Sequence, residues 1–416
     1  MSEPIPASVN RRDFLQTGAL AAAATAAIAP NASALASQDA PKAAEGPILP
    51  KRKLGKTGVD VTILNLGTWR SSGLQTIVRA AYTNGVRMYD TAKSYGSEPG
   101  IGKWLTDMPE VRKEIFLVTK DTPRSPKELI NQLDLRLADL KTDHVDLFFI
   151  HALGDHGVDQ GLEWPKSKEF KETAEALKKS GKAKFVGFST HHARRAEIIQ
   201  AAADGGFVDV IMLQYTPWLD KDAPLNRALD DCYKKGIGLI SMKQVAGQFA
   251  DNNAKGGVLD EVTRKVPMLK ERGLTPYQGL LHAIWTDERI SAACVSMRNL
   301  DQVKENSAAA RTFKPLQDAE IRQLRDAVLA HGPTLCADCD GRCAHAAGTK
   351  AALGDLTRFL TYHEFHGDRE HARNEYAKLT AEARDWKDAD LIAAREACPN
   401  RLNFAELMPK VDEFLA

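Results

Sequence analysis

Short apolar runs recur along the chain from residue 50 onward, and this rhythm constrains the fold more than any other feature. "VTILNLGT" (61–68), "VRMYDT" (86–91), "IFLVTK" (115–120) and "VDLFFIHA" (145–152) come first. "KFVGFST" (184–190), "VDVIMLQY" (208–215), "IGLISMK" (237–243) and "ISAACVSM" (290–297) follow. The text between them has helical spacing, as in "SPKELINQLDLRLADL", where Leu129, Ile130, Leu133, Leu137 and Leu140 are expected to line one helix face. Continuous apolar strands alternating with helices predict a parallel sheet covered on both faces. Eight such units in about 250 residues predict a closed (β/α)8 TIM barrel. No glycine-rich dinucleotide fingerprint follows the first strand, which argues against an open doubly wound sheet.

A parallel barrel collects its chemistry at the carboxyl ends of its strands. Asp90 ends the second run, Lys120 the third, His151 the fourth, Ser189 the fifth, Tyr215 the sixth and Lys243 the seventh. Ser296 and Arg298 close the eighth. A polar residue at one strand end is an ordinary solvent boundary, but a succession of them predicts a shared pocket. "YDTAKSYG" (89–96) adds Tyr95 just beyond the second strand.

Asp90, Tyr95, Lys120 and His151 together suit proton transfer. A free phenol titrates near 10 and is a donor at neutral pH. A nearby ammonium is expected to stabilise the phenolate, Asp90 to hold that ammonium, and His151 to position the substrate oxygen. Such a group protonates an oxyanion as it forms, for example when hydride reaches a carbonyl carbon.

These features resemble the aldo-keto reductase superfamily over roughly residues 50–312. "LGKTGVDVTILNLGTW", "GVRMYDTAKSYG", "FLVTK", "DLFFIHA", "GKAKFVGFSTH" and "NLDQVKEN" fall in family order. The resemblance implies that Asp90, Tyr95, Lys120 and His151 are a catalytic tetrad. It also implies a nicotinamide cofactor, usually NADP, with NAD as the alternative. Tyr215 would stack on the nicotinamide ring and Ser189 would contact its carboxamide. Lys243 joins the cofactor set. Ser296, Arg298, Gln302, Glu305 and Asn306 match the adenosine-phosphate segment. Met212, Thr190 and Ser296 depart from the residues most common in the family at those positions.

The remaining pocket is less legible. "LGDHGVDQGLEW" and "QVAGQFADNNAKGGVLD" are expected to shape a substrate site for a carbonyl or sugar-like small molecule, with Trp69, Trp218 and Tyr277 as candidate walls or plain packing. "STHH" (189–192) reads as a helix lead-in rather than a metal site, and Asp155 with His156 as part of a substrate loop.

The chain has 416 residues, 43% hydrophobic and 27% charged, with a formal net charge of +1, so nothing suggests a nucleic-acid surface. The basic run "LKKSGKAK" reads as a solvated helix end. Residues 1–36 resemble a twin-arginine signal peptide: Arg11 and Arg12, then Phe14 and Leu15, an alanine-rich stretch and a small-residue "ALA" cleavage pattern. The apolar stretch is too short to anchor a mature chain in a bilayer, so export by the twin-arginine machinery to the periplasm is expected. Residues 37–49 read as a linker, 50–330 as the barrel and 331–416 as a mainly helical cysteine-bearing extension.

Cys232 and Cys294 read as core thiols. Cys336, Cys339, Cys343 and, after 54 intervening residues, Cys398 resemble a ferredoxin-type pattern that implies a 4Fe–4S cluster, with a four-thiolate zinc site or disulfides as alternatives. His345, His363, His366 and His371 read as surface or helix-face residues. The leading expectation is an exported NADP-dependent oxidoreductase with Tyr95 as proton donor. The alternatives are an iron–sulfur electron-transfer or binding scaffold with a docking partner, and a lyase or isomerase with a trapped nicotinamide cofactor.

Overall fold

The computed structural model describes residues 46–71, 73–192, 194–217, 223–244, 265–331, 334, 336, 341–364 and 369–416. Residues 1–36, with the arginine pair, lie outside this set, as do Cys339, Trp218, His366 and most of the loop after the seventh apolar run.

Two short strands, β1 (Lys51–Lys53) and β2 (Asp60–Thr62), form an antiparallel hairpin. Its Leu54 and Val61 enter the core inside the barrel. Arg52 donates to the backbone carbonyls of Trp285 and Ile290, next to the start of the last barrel strand. The hairpin therefore plugs the amino-terminal end of the barrel and leaves the other end open to chemistry.

The barrel is built from β3 (Leu64–Gly67), β4 (Met88–Asp90), β5 (Phe116–Asp121), β6 (Val145–Ile150), β7 (Ala183–Thr190), β8 (Val210–Gln214), β9 (Gly238–Met242) and β10 (Ile290–Ser296). All neighbours are parallel, and β10 pairs with both β9 and β3 to close the ring. The predicted (β/α)8 barrel is thus the observed one. Strand residues alternate between two layers. Met88, Phe116, Val118, Leu147, Phe149, Val210, Met212 and Ile240 fill the barrel, while Tyr89, Leu117, Phe148, Ile211, Leu213 and Leu239 pack against the helices.

The helix Glu128–Leu140 buries Leu129, Leu133, Leu137 and Leu140 as its spacing predicts. Ile130 departs from that reading and is 41% exposed. One residue beyond Leu129, it is turned about 100° around the helix axis, off the buried stripe. Of the expected linker, residues 46–49 are described. Leu49 is buried, and its N–H donates to the Gly85 carbonyl at 3.0 Å.

The extension is helical and owns a separate core. Helices Arg342–Ala346, Leu353–Glu364, Arg369–Lys378, Leu391–Ala397 and Phe404–Phe414 bury Leu353, Phe359, Leu360, Phe404 and Met408, with Cys343 and Cys398 among them. Among the described residues, no helix is long and apolar enough to cross a membrane.

Candidate active site

Strand alternation decides which side chains reach the barrel mouth. In β4 the inward parity of Met88 carries to Asp90, in β5 that of Val118 carries to Lys120, and in β6 that of Phe149 carries to His151. Lys120 Nζ lies 2.5 Å from Asp90 Oδ1 and donates to the Thr91 carbonyl at 3.0 Å. Both side chains are almost fully buried.

Tyr95 reaches the same point by a different route. It ends a short 3-10 turn, Lys93–Tyr95, whose Tyr95 N–H donates to the Ala92 carbonyl and which Gly96 terminates at φ 66°. Glycine tolerates that left-handed conformation without a Cβ penalty. The turn is pinned from below by a hydroxyl chain. Thr68 donates to the Asp90 carbonyl at 2.9 Å, so it accepts from Ser97 at 2.8 Å, and Ser97 accepts from Thr91 at 2.7 Å. Lys120 Nζ sits 5.0 Å from the Tyr95 ring centroid, and the His151 ring meets Tyr95 edge-on at 5.5 Å. The four residues predicted to converge do converge.

Burial sets the proton states of this group. It pushes the Tyr95 phenol up to about 12, outweighing the opposing pull of Lys120. Lys120 does act to lower the phenol, as expected, but burial outweighs it, and Tyr95 stays protonated throughout the neutral range. Burial also disfavours the Lys120 ammonium, but Asp90 and Tyr95 more than offset it and Lys120 is raised. Burial, then Lys120 and Lys243, holds His151 well below its usual value, so its imidazole is neutral. Its Nδ1 lies 3.4 Å from the Ser94 hydroxyl.

Cys294 belongs here too. Although it read as a plain core thiol, burial followed by the nearby Asp90 carboxyl keeps it protonated.

The expected cofactor residues divide. Ser189 has inward parity; its Oγ accepts from the Ala152 N–H at 3.0 Å and so keeps its own proton to donate. Tyr215 does not reach the mouth. It continues the outward parity of Ile211 and Leu213, is 3% exposed, and donates its hydroxyl to Asp287 at 2.6 Å. Gln214 and Met242 occupy the inward positions at the ends of β8 and β9. Lys243 follows with a left-handed φ of 54°, and its charge acts on His151, Asp155 and His191. Arg298 is exposed, with its guanidinium 5.8 Å from the Trp69 ring, beside the start of the helix Leu300–Thr312. Its N–H donates to Gln302, while Glu305 accepts from Thr275 at 2.5 Å and Asn306 is buried. Ser296 is half-buried at the end of β10. A free hydroxyl donor at Ser189 and an exposed guanidinium beside a helix start fit the carboxamide and phosphate ends of a dinucleotide.

The extension closes over part of this mouth, which the chain's local patterns did not reveal. Arg358 donates to Gln214 Oε1 at 3.0 Å and to the His191 carbonyl at 3.3 Å. His371, expected on the surface or a helix face, lies on the helix Arg369–Lys378 and packs its ring 5.5 Å from Trp69 and 5.2 Å from Tyr362. Tyr277 packs half-buried against the core outside the barrel rather than forming a pocket wall.

The late cysteines are only partly brought together. Cys343 and Cys398 share the extension's core, and Cys336 Sγ packs at Gly354. Among the described residues, no group of three or more His, Cys, Asp or Glu side chains is placed to hold a metal ion.

Barrel and tetrad define the class: an oxidoreductase on a (β/α)8 scaffold. The sequence profile of the Aldo/keto reductase family matches residues 64–328, and the chain belongs to that family. It is 24% identical over 330 residues to the L-glyceraldehyde 3-phosphate reductase of Escherichia coli, covering 65% of this chain and 91% of that protein. It is 26% identical over 307 residues to the L-galactose dehydrogenase of Arabidopsis thaliana, covering 67% and 93%. An aldo-keto reductase from Bacillus halodurans in its holo form has a similar fold, with a TM-score of 0.54 at 21% identity over 67% of this chain and 96% of that one. A Klebsiella pneumoniae aldo-keto reductase in complex with NADPH gives 0.53 at 22% identity over 67% and 95%.

Proposed function

We propose that this chain is an exported, NADP-dependent reductase of a small carbonyl compound, with Tyr95 as its proton donor. One observation carries the reading: Tyr95, a protonated phenol, is held between a buried ammonium and a neutral imidazole. NADPH bound by the Klebsiella relative supports the choice of cofactor. Ser189, Ser296 and Arg298 are the residues that would hold it, with Gln302, Glu305 and Asn306 along the adenosine side. The cofactor supplies hydride to the carbonyl carbon.

Everything else falls to the chain's own residues. His151, being neutral, donates an N–H to the carbonyl oxygen without placing a second positive charge beside Lys120. Tyr95 gives its proton to that oxygen as negative charge builds there. The Lys120 ammonium, fixed by Asp90, stabilises the phenolate left behind. Reprotonation of Tyr95 then resets the site.

Export rests on the Arg11–Arg12 leader, and a twin-arginine route carries a folded protein, so the cofactor is loaded before translocation. The cysteine-bearing extension carries the second reading, an iron–sulfur or zinc centre serving an electron-transfer partner. Cys343 and Cys398, which share the extension's core, are the thiols it rests on.

Purified exported protein tests both readings. Nicotinamide absorbance that is consumed on adding a carbonyl substrate supports the reductase. Visible charge-transfer bands that disappear in Cys343→Ser support the cluster. A protein that neither retains nor oxidises NADPH contradicts the reductase.

A further inference from the structure

A second pair of titratable side chains stands at the mouth, unused by hydride transfer. Asp155 lies in the turn that follows His151, and His191 lies one residue beyond β7. Their side chains meet, with His191 Nε2 3.4 Å from Asp155 Oδ2. The carboxyl is 23% exposed and the imidazole 11% exposed, so both are largely dry without being sealed off. His191 Nδ1 is buried without a hydrogen-bond partner.

A structural ion pair has a different character. It needs a charged imidazole and satisfied nitrogens, since an orphaned buried donor or acceptor is destabilising. Here burial, then Lys243 and Arg358, drives His191 well below its usual value, so the ring is neutral. Burial lifts Asp155 to about 7. Lys243 after β9 and Arg358 of the extension pull it down, while Asp355 and Glu375 of the extension push it up. A base that titrates near the working pH is the kind that general acid–base catalysis favours.

We propose that Asp155 and His191 form a second acid–base pair that removes and returns the proton on the carbon next to a bound carbonyl. The ligand class is an α-hydroxy aldehyde or ketone. The idea rests on the reading above only in that Tyr95 and His151 hold the carbonyl oxygen, and it makes no use of nicotinamide. In the step, the α C–H bond breaks and its proton passes to the Asp155 carboxylate, with neutral His191 beside it to relay. The C–H electron pair forms a carbon–carbon double bond, and the carbonyl π pair moves to oxygen, which takes the Tyr95 proton. The product is an enediol. Reversal returns one proton to Tyr95 and one to carbon, either the original carbon or, for the enediol, its neighbour. No oxidant or reductant is consumed.

The test incubates the full-length protein with dihydroxyacetone in deuterated buffer, without NADPH, and follows loss of the α-proton signal by NMR. Exchange should run well above a protein-free control and fall by about 100-fold or more in Asp155→Asn, the lower range for a positioned general base. In the unmutated protein the exchange rate should rise with pH and level off above about 7. Exchange no faster than the control, a flat pH profile, or wild-type exchange in Asp155→Asn each overturns the proposal. The pH profile needs no variant, so a poorly folded Asp155→Asn does not remove the test. NADPH-dependent reduction is measured separately: reduction without exchange sinks only this proposal, and exchange without reduction sinks only the reductase reading.

Discussion

Arg358, from the extension, donates to Gln214 at the inward-facing end of β8 across a 3.0 Å hydrogen bond. The same guanidinium pairs with Asp355 at 2.7 Å and is 8% exposed. This buried charge ties a helical appendage with its own core to the rim of the catalytic barrel. Arg358→Ala should therefore cost about 1.5–3 kcal/mol, the range for hydrogen bonds to a charged group. Urea unfolding measures the loss. Limited proteolysis should release the extension before the barrel is cut, and loss of both at one rate would contradict the tie.

Lys120 and Asp90 form the most deeply buried ion pair at the mouth. Removing one partner leaves an uncompensated charge in a dry site. Lys120→Met should cost about 3–5 kcal/mol. The double variant Lys120→Met with Asp90→Asn should recover part of that loss, because the stranded carboxylate is gone. Chemical denaturation of the two singles and the double gives the comparison, and strictly additive losses would contradict it.

Asp155 makes stability depend on pH in a definite direction. Its folded pKa is raised from 3.8 to about 7, so the folded chain binds that proton more tightly than the unfolded chain. The favourable contribution is complete below about 4, fades as pH rises, and is gone above about 7. Asp155→Asn should accordingly stabilise the protein more at pH 8 than at pH 5. Unfolding midpoints at the two pH values check this, and an equal effect at both would contradict it.

Tyr215 tests the layer assignment. Its hydroxyl serves Asp287 between sheet and helices, not a cofactor ring. Tyr215→Phe should lose about 1.5–3 kcal/mol of stability, the value of a hydrogen bond to a charged group, while NADPH affinity is unchanged. Fluorescence titration with NADPH and urea unfolding separate the two effects.

The barrel was legible because eight buried parallel strands cannot avoid near-continuous apolar text. The tetrad was legible because three of its members close such runs and the fourth follows one closely. The resemblance places Tyr215, the residue that closes "VDVIMLQY", on the nicotinamide ring. Counting in twos from the interior Val210 and Met212 leads to Gln214 instead. The same alternation would have brought Cys294 out of the generic core. The raised phenol of Tyr95 could not be read from sequence, since residue types do not state how dry a site is. Arg358 and His371 were missed for a related reason: they meet Gln214 and Trp69 across 144 and 302 residues, and no local pattern encodes such a meeting.

The central claim is that Tyr95 hands its proton to a carbonyl oxygen. The most direct measurement compares NADPH oxidation by the full chain and by Tyr95→Phe at saturating cofactor, with NADPH affinity measured alongside. The account predicts that the rate falls by about 100-fold to 10,000-fold while affinity holds, as loss of one positioned acid implies. Turnover by Tyr95→Phe at the unmutated rate would contradict it.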